Sequence, residues 1–268
     1  MTTYNAPLKD MQFVLNDVLQ ISKYSNLPGF SEASEDVVEA ILEEGAKMAS
    51  NVLHPINHSG DKEGCTRHED GSVTTPKGFK EAYEIYKQGG WQGLSFDPEY
   101  GGQGLPYILA VAVSEMVSAA NMAFGMYPGL ARGAADAIYA HGTDEQKQKY
   151  LPGIAAGELR MQAFGVTEPT SGTDTLSLRT TATKNAQGDY VINGQKIWTS
   201  RVEHSDLMLL LARTQSKEEV EKRTDGLSVF IVDIREALGN GLEIKPIRTM
   251  INHATTEVFF DELVIPAE

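Results

Sequence analysis

The hydrophobic period of this chain changes once along its length. Up to about residue 155 apolar residues recur at helical spacing, and from Met161 onward they fall into short strand-like runs. Helices in one block and strands in the next favour an α+β arrangement over an alternating βαβ fold. A chain of 268 residues is long enough for two domains. The expected division is a helical domain over residues 1–157 and a β-barrel or sandwich domain over residues 158–268.

In the first block, Leu8, Met11, Leu15 and Val18 mark a helix over 8–20. A second is expected over 34–53, with Pro55 stopping it and residues 56–74 forming a polar loop that holds Cys65. Thr75-Pro76 opens a helix that ends at Gly89-Gly90. The most apolar helix is expected over 106–125 and another over 130–141, with Met116, Met122 and Met126 as core filler. Thr143-Asp144-Glu145-Gln146 has the form of a capping box, and its helix should end at Leu151-Pro152-Gly153. The glycine cluster at 97–104 has no strand pattern before it and no Lys-Ser or Lys-Thr after it. It reads as a helix–helix connection rather than a phosphate loop. His54, His58 and His68 match no ligand spacing, so no metal is expected.

In the second block, strand-like runs cover 161–167, 178–184, 189–198, 206–213, 227–234, 242–248 and 256–264. Gln187-Gly188 and Asn193-Gly194 are turn signals, and the charged stretch 214–226 is a solvated hairpin loop or a short helix. Where the period changes stands Phe164-Gly165-Val166-Thr167-Glu168-Pro169-Thr170-Ser171-Gly172-Thr173-Asp174, dense in small, hydroxyl-bearing and turn-forming residues. Such a loop can turn backbone N–H groups and hydroxyls toward a flavin edge or a phosphate. The same composition also suits an ordinary tight turn.

A formal net charge of −14 argues against nucleic acid and anionic membrane surfaces as partners. No apolar run approaches the ~18 residues of a membrane span, and residues 1–10 lack the character of a signal peptide. One cysteine excludes an intrachain disulfide, so a cytoplasmic location is expected.

The run Gly165–Ser177 resembles a signature of the acyl-CoA dehydrogenases. Val191-Ile192-Asn193-Gly194-Gln195-Lys196-Ile197-Trp198-Thr199-Ser200 follows at the family's distance. Leu209–Thr214 and Val258–Glu268 are similar to further family patterns, as are Asp97–Gly104 and His141–Lys147 in the first block, so the resemblance covers essentially the whole chain. Tyr4–Leu8 with Phe124–Gly129 resembles the subgroup acting on methylthiopropionyl-CoA and related acyl-CoAs. From Arg160 onward the text is closer to other bacterial branches, as in a divergent member or a junction of two subfamilies.

The resemblance implies FAD-dependent α,β-dehydrogenation of an acyl-CoA thioester. It implies an electron-transfer flavoprotein as acceptor and, for the full-length family, a homo-oligomer. By position it implies that Phe164, Gly165, Val166, Thr167, Gly172 and Thr173 meet the cofactor, with Thr173 also near the acyl-CoA. Trp198 would pack on the flavin, and Thr199 and Ser200 would address its N5 and O4 side. The alternative for Trp198 is a buried strand aromatic. The family's catalytic base lies on a C-terminal helical domain, expected beyond Glu268, so no catalytic residue is assigned here and the chain is expected to stop before that domain. Competing readings are an inactive fragment that only binds flavin, acyl-CoA or a protein, and an acyl-CoA oxidase or flavin monooxygenase relative. Oxygen reactivity of the reduced flavin would identify the last of these.

Overall fold

The computed structural model describes residues 3–267 except Gly71, Gln162 and residues 251–253. Gln162 of the first strand run and Glu268 of the last family-like run lie outside the described residues. The chain forms two compact units, Met1–Thr66 with Thr75–Leu159, and Arg67–Thr74 with Arg160–Glu268.

The first unit is helical. α1 (Leu8–Gln12) runs into a π-helical turn at Phe13–Val18, and α2 (Glu35–Met48) starts at an Ser34 N-cap whose hydroxyl accepts from Val37 N–H. The helix does not stop before Pro55 as expected. A π-helical turn at Ala49–Leu53 follows α2 and leads into α3 (His54–Glu63), where Pro55 occupies the first turn. A proline there removes only an N–H that has no helical partner in any case. The expected 56–74 loop is therefore part helix and part β-hairpin, β1 (Thr66–Arg67) with β2 (Val73–Thr74).

α4 (Phe79–Gln88) begins after Gly78, later than Thr75-Pro76 suggested. α5 (Tyr107–Ala120) and α6 (Met122–His141) divide at Asn121, so the expected breaks at 125 and 130 are displaced. Asn121 is fully buried; its side chain accepts from Phe124 N–H at 3.0 Å and donates to Leu53 O at 3.1 Å. A buried amide with both ends bonded fixes this break in a way that periodicity does not reveal. Met116 is core, whereas Met122 is 59% exposed and fills nothing. α7 (Asp144–Ala155) opens with the Thr143–Gln146 capping box and continues past Pro152. Leu42, Leu53, Leu109, Met116 and Phe124 centre the core of this unit.

The second unit is a seven-stranded sheet. Its strands are β3 (Ala163–Gly165), β4 (Thr181–Lys184), β5 (Tyr190–Ser200), β6 (Leu207–Arg213), β7 (Leu227–Asp233), β8 (Leu242–Ile247) and β9 (Thr255–Ile265), with a short α8 (Ile234–Ala237) after β7. The order β3-β6-β4-β5-β9-β8, with β7 on β6, leaves the sheet open among the described residues. The expected β-domain is present, and of the two forms expected for it, barrel or sandwich, no closed barrel forms among the described residues, because β7 and β8 end the order without pairing to each other. Ile192, Met208, Leu210, Val258 and Phe260 lie in one apolar cluster of this unit. Residues 214–226 join the antiparallel β6 and β7 as a hairpin loop.

Candidate functional site

One lane of the sheet is shared by two half-strands. β6 has β7 along one side and, along the other, β3 at Met208–Leu210 followed by β4 at Arg213. β5 meets the same pair, with Tyr190–Asn193 opposite β4 and Ile197 N–H donating to Thr167 O at 2.9 Å. β3 and β4 therefore lie end to end, and residues 166–180 leave the lane and return to it. A loop held at both ends in one lane has little freedom at its roots.

The loop is closed by its own polar groups. Glu168 and Ser171 exchange backbone hydrogen bonds at 3.0 and 3.1 Å, and Ser171 Oγ donates to Asp174 O. The Glu168 carboxylate turns back into the sheet. It accepts from Arg179 N–H at 2.6 Å, Thr180 N–H at 2.9 Å and Lys196 Nζ at 2.9 Å. Lys196 Nζ also donates to Val166 O at 3.2 Å. Both side chains are buried, Lys196 completely. Burial alone would raise the Glu168 carboxyl, but the Lys196 and Thr180 donors and the two backbone N–H groups outweigh it and hold the group below the usual glutamate range. The outer side is braced by Arg213, which donates to Leu176 O at 2.8 Å, and by Arg223, which donates to Ser177 Oγ at 2.9 Å and pairs with Asp174 at 3.6 Å.

The second family-like block ends in a β-bulge. β5 pairs with β9 at Lys196–Val258 and again at Thr199–Thr256, so Ile197 and Trp198 together oppose Glu257. Trp198 takes a left-handed φ of 59° and is 59% exposed. It is not the buried strand aromatic that its apolar ring allows. Thr199 is buried; its carbonyl accepts from Thr256 Oγ1 at 2.8 Å, while its own Oγ1 has no protein partner. Ser200 Oγ lies 3.2 Å from Thr255 Oγ1.

Of the nine positions singled out, Phe164, Gly165, Val166 and Thr167 run beside the 196–200 segment, joined through Lys196 and the Ile197–Thr167 bond. Gly165 is buried, and a Cβ there would stand 3.0 Å from Leu210 Cδ1. Gly172 and Thr173 occupy the exposed outer turn of the loop, with open space where a Gly172 side chain would be. Sequence reasoning gave no role to Glu168 or to Lys196, which appear there only as members of the two family-like runs. The available signal was parity, since Lys196 lies four residues from the buried Ile192 on the same strand, where an inward charge needs a buried partner.

Directly after Ser200 the chain carries a charged cluster. Asp206 pairs with Arg160 at 3.1 Å and with Arg235, and Glu203 pairs with Arg67 at 3.0 Å. Burial, with Arg201 and Arg160 nearby, pushes the His204 imidazole down to about 4. Burial raises the Glu203 carboxyl. In the helical unit, cavities of about 600 and about 410 Å³ share Tyr107 and Arg132 in their walls. The Arg132 guanidinium stands 4.7 Å from the ring centres of both Phe96 and Tyr107 and is bonded to Asp136.

Two family models match the chain in order. Residues 37–158 match the acyl-CoA dehydrogenase N-terminal domain, and residues 163–263 match the acyl-CoA dehydrogenase middle domain. The chain is 37% identical to the 3-methylmercaptopropionyl-CoA dehydrogenase of Ruegeria pomeroyi, over 86% of this chain and 39% of that protein. It is 36% identical to the acyl-CoA dehydrogenase FadE26 of Mycobacterium tuberculosis, over 70% of this chain and 45% of that one. The chain thus spans under half the length of these relatives. The solved acyl-CoA dehydrogenase of Bacillus anthracis, complexed with FAD, superposes with a TM-score of 0.70 at 26% identity, over 88% of this chain and 37% of that one. With the helical block and the sheet each matched by its own model, in the same order and over most of the sequence, the chain belongs to the acyl-CoA dehydrogenase family.

Proposed function

We propose that this chain supplies the flavin-facing part of an FAD-dependent acyl-CoA dehydrogenase. The observation that carries the reading is the pairing of the 166–180 loop with the 197–198 bulge across one buried ion pair. The residues suit an isoalloxazine group. Trp198 offers an exposed indole on a bulge, and the adjacent Thr199 has a buried hydroxyl without a protein partner. A buried hydroxyl left unpaired costs about 1–3 kcal/mol, which a ligand acceptor would recover.

When bound, FAD supplies the two-electron oxidation that turns an acyl-CoA thioester into its α,β-unsaturated product. In this reading Val166 and Thr167 hold the pyrimidine edge, and Phe164 and Gly165 seat the loop against the sheet. Trp198 covers the ring, and Thr199 and Ser200 present donors to its N5 and O4 side. Gly172 and Thr173 approach the pyrophosphate, with Thr173 also near the acyl-CoA. Fixed donors of this kind stabilise negative charge developing on a ring without reorganisation. Removal of the α-proton is not assigned to a residue of this chain. The acceptor in this reading is an electron-transfer flavoprotein, and the compartment is a reducing cytoplasm.

Titration of the purified chain with FAD tests the proposal. The expected result is saturable binding with a shifted, structured visible flavin band. A spectrum identical to free FAD at every ratio would overturn it.

A further inference from the structure

The Glu168–Lys196 pair is the most deeply buried ion pair of the described residues. Its atoms touch all three pieces that the site needs in register. Lys196 Nζ holds Val166 O at the loop entrance, and the Glu168 carboxylate holds the N–H groups of Arg179 and Thr180 where the loop re-enters the lane. Lys196 itself is the last regularly paired residue before the bulge that carries Trp198 and Thr199. We infer that Glu168 and Lys196 are positioning residues, a buried clamp that fixes the 166–180 loop against the 197–198 bulge before any ligand arrives.

Three physical points support this. First, β5 and β6 run past both half-strands and set where β3 and β4 lie, but among the described residues no backbone ladder joins Val166 to Thr180 directly. The ammonium and carboxylate bridge the two. Second, a buried charge pair is a poor source of net stability against an apolar pair of the same shape, but removal of one partner is costly because the other charge remains. A pair in such a place specifies one geometry more than it adds stability. Third, the Val166 carbonyl bonded to Lys196 belongs to the same peptide unit as the Thr167 N–H. The ammonium therefore polarises that unit and makes its N–H a stronger donor.

The inference rests on the flavin reading for its consequence but not for its geometry, and the test separates the two. Hydrogen exchange of the whole chain without FAD is compared for wild type, K196M and E168A, alongside FAD titration of each. The clamp predicts that amides of 168–180 exchange at least about tenfold faster in both variants, while those of the β6–β7 and β8–β9 pairs keep their wild-type protection. It predicts an FAD dissociation constant raised at least about tenfold in both. It also predicts a double variant no worse than the weaker single variant, because the two residues act as one unit. K196Q, which retains a neutral donor, replaces K196M if that protein does not fold. Loop exchange unchanged from wild type would overturn the clamp, as would loosening of loop and sheet together. Wild-type chain that binds no FAD but shows the local exchange pattern in the variants would sink the flavin reading and leave the clamp standing.

Discussion

At the scale of single residues, Trp198 separates stability from function most cleanly. A left-handed φ is strained for any L residue other than glycine, so alanine at this position carries the same backbone strain as tryptophan. The indole is 59% exposed and packs little of its area. W198A should therefore unfold within about 0.5 kcal/mol of wild type in urea, as surface substitutions do. Its FAD affinity should fall at least about tenfold, because a covering aromatic surface is lost. A large loss of stability with unchanged affinity would show that the indole serves the fold. The sequence placed Trp198, Thr199 and Ser200 one after another in the second block. It could not show that a bulge turns the first outward and the second inward, since a bulge depends on how β9 pairs with β5. Lys196 was missed for a related reason, because its burial becomes sensible only with Glu168 beside it in space.

At the scale of elements, each of the seven strands overlaps one of the runs read from alternation, to within a residue at most ends, although β5 and β9 extend beyond theirs, because alternation records the buried face directly. The misreadings concern residues that end elements in isolation and serve another purpose here. Pro55 sits in a first helical turn. Asn193-Gly194, read as a turn, lies inside β5 at an irregularity of its pairing with β9. Gly194 adopts φ 148°, and a Cβ there would fall 2.7 Å from Thr180 Cα and 2.5 Å from its Oγ1. The glycine thus lets β5 pass closely by the end of the loop, while Asn193 donates to the Glu262 carboxylate at 2.6 Å. G194A should cost about 2–4 kcal/mol, through both strain and overlap with backbone. Urea unfolding measures the loss, and a cost below about 1 kcal/mol would mean that Thr180 moves aside freely.

At the scale of the whole molecule, acid sets opposing effects against each other. The formal net charge of −14 with a pI near 4.9 means that self-repulsion weakens as pH falls from neutrality. His204 acts in the other direction. Its folded value near 4 lies below the ordinary 6.5, so between those values the unfolded chain binds a proton that the folded chain refuses. Stability from this residue is complete above about pH 6.5 and is lost as pH falls toward the folded value. Glu203 has the reverse sign, because a raised carboxyl favours the fold as pH falls through its window. Glu168, held below the ordinary range, gives up its contribution only in stronger acid. A single wild-type pH profile mixes all four effects, but the difference between wild type and H204Q removes those that they share. Near pH 5 wild type should have lost about 2 kcal/mol relative to H204Q, compared with their difference at neutral pH. Urea midpoints at a series of pH values measure that gap. Parallel curves would mean that His204 takes up its proton in the folded state, with Arg160 and Arg201 giving way to it.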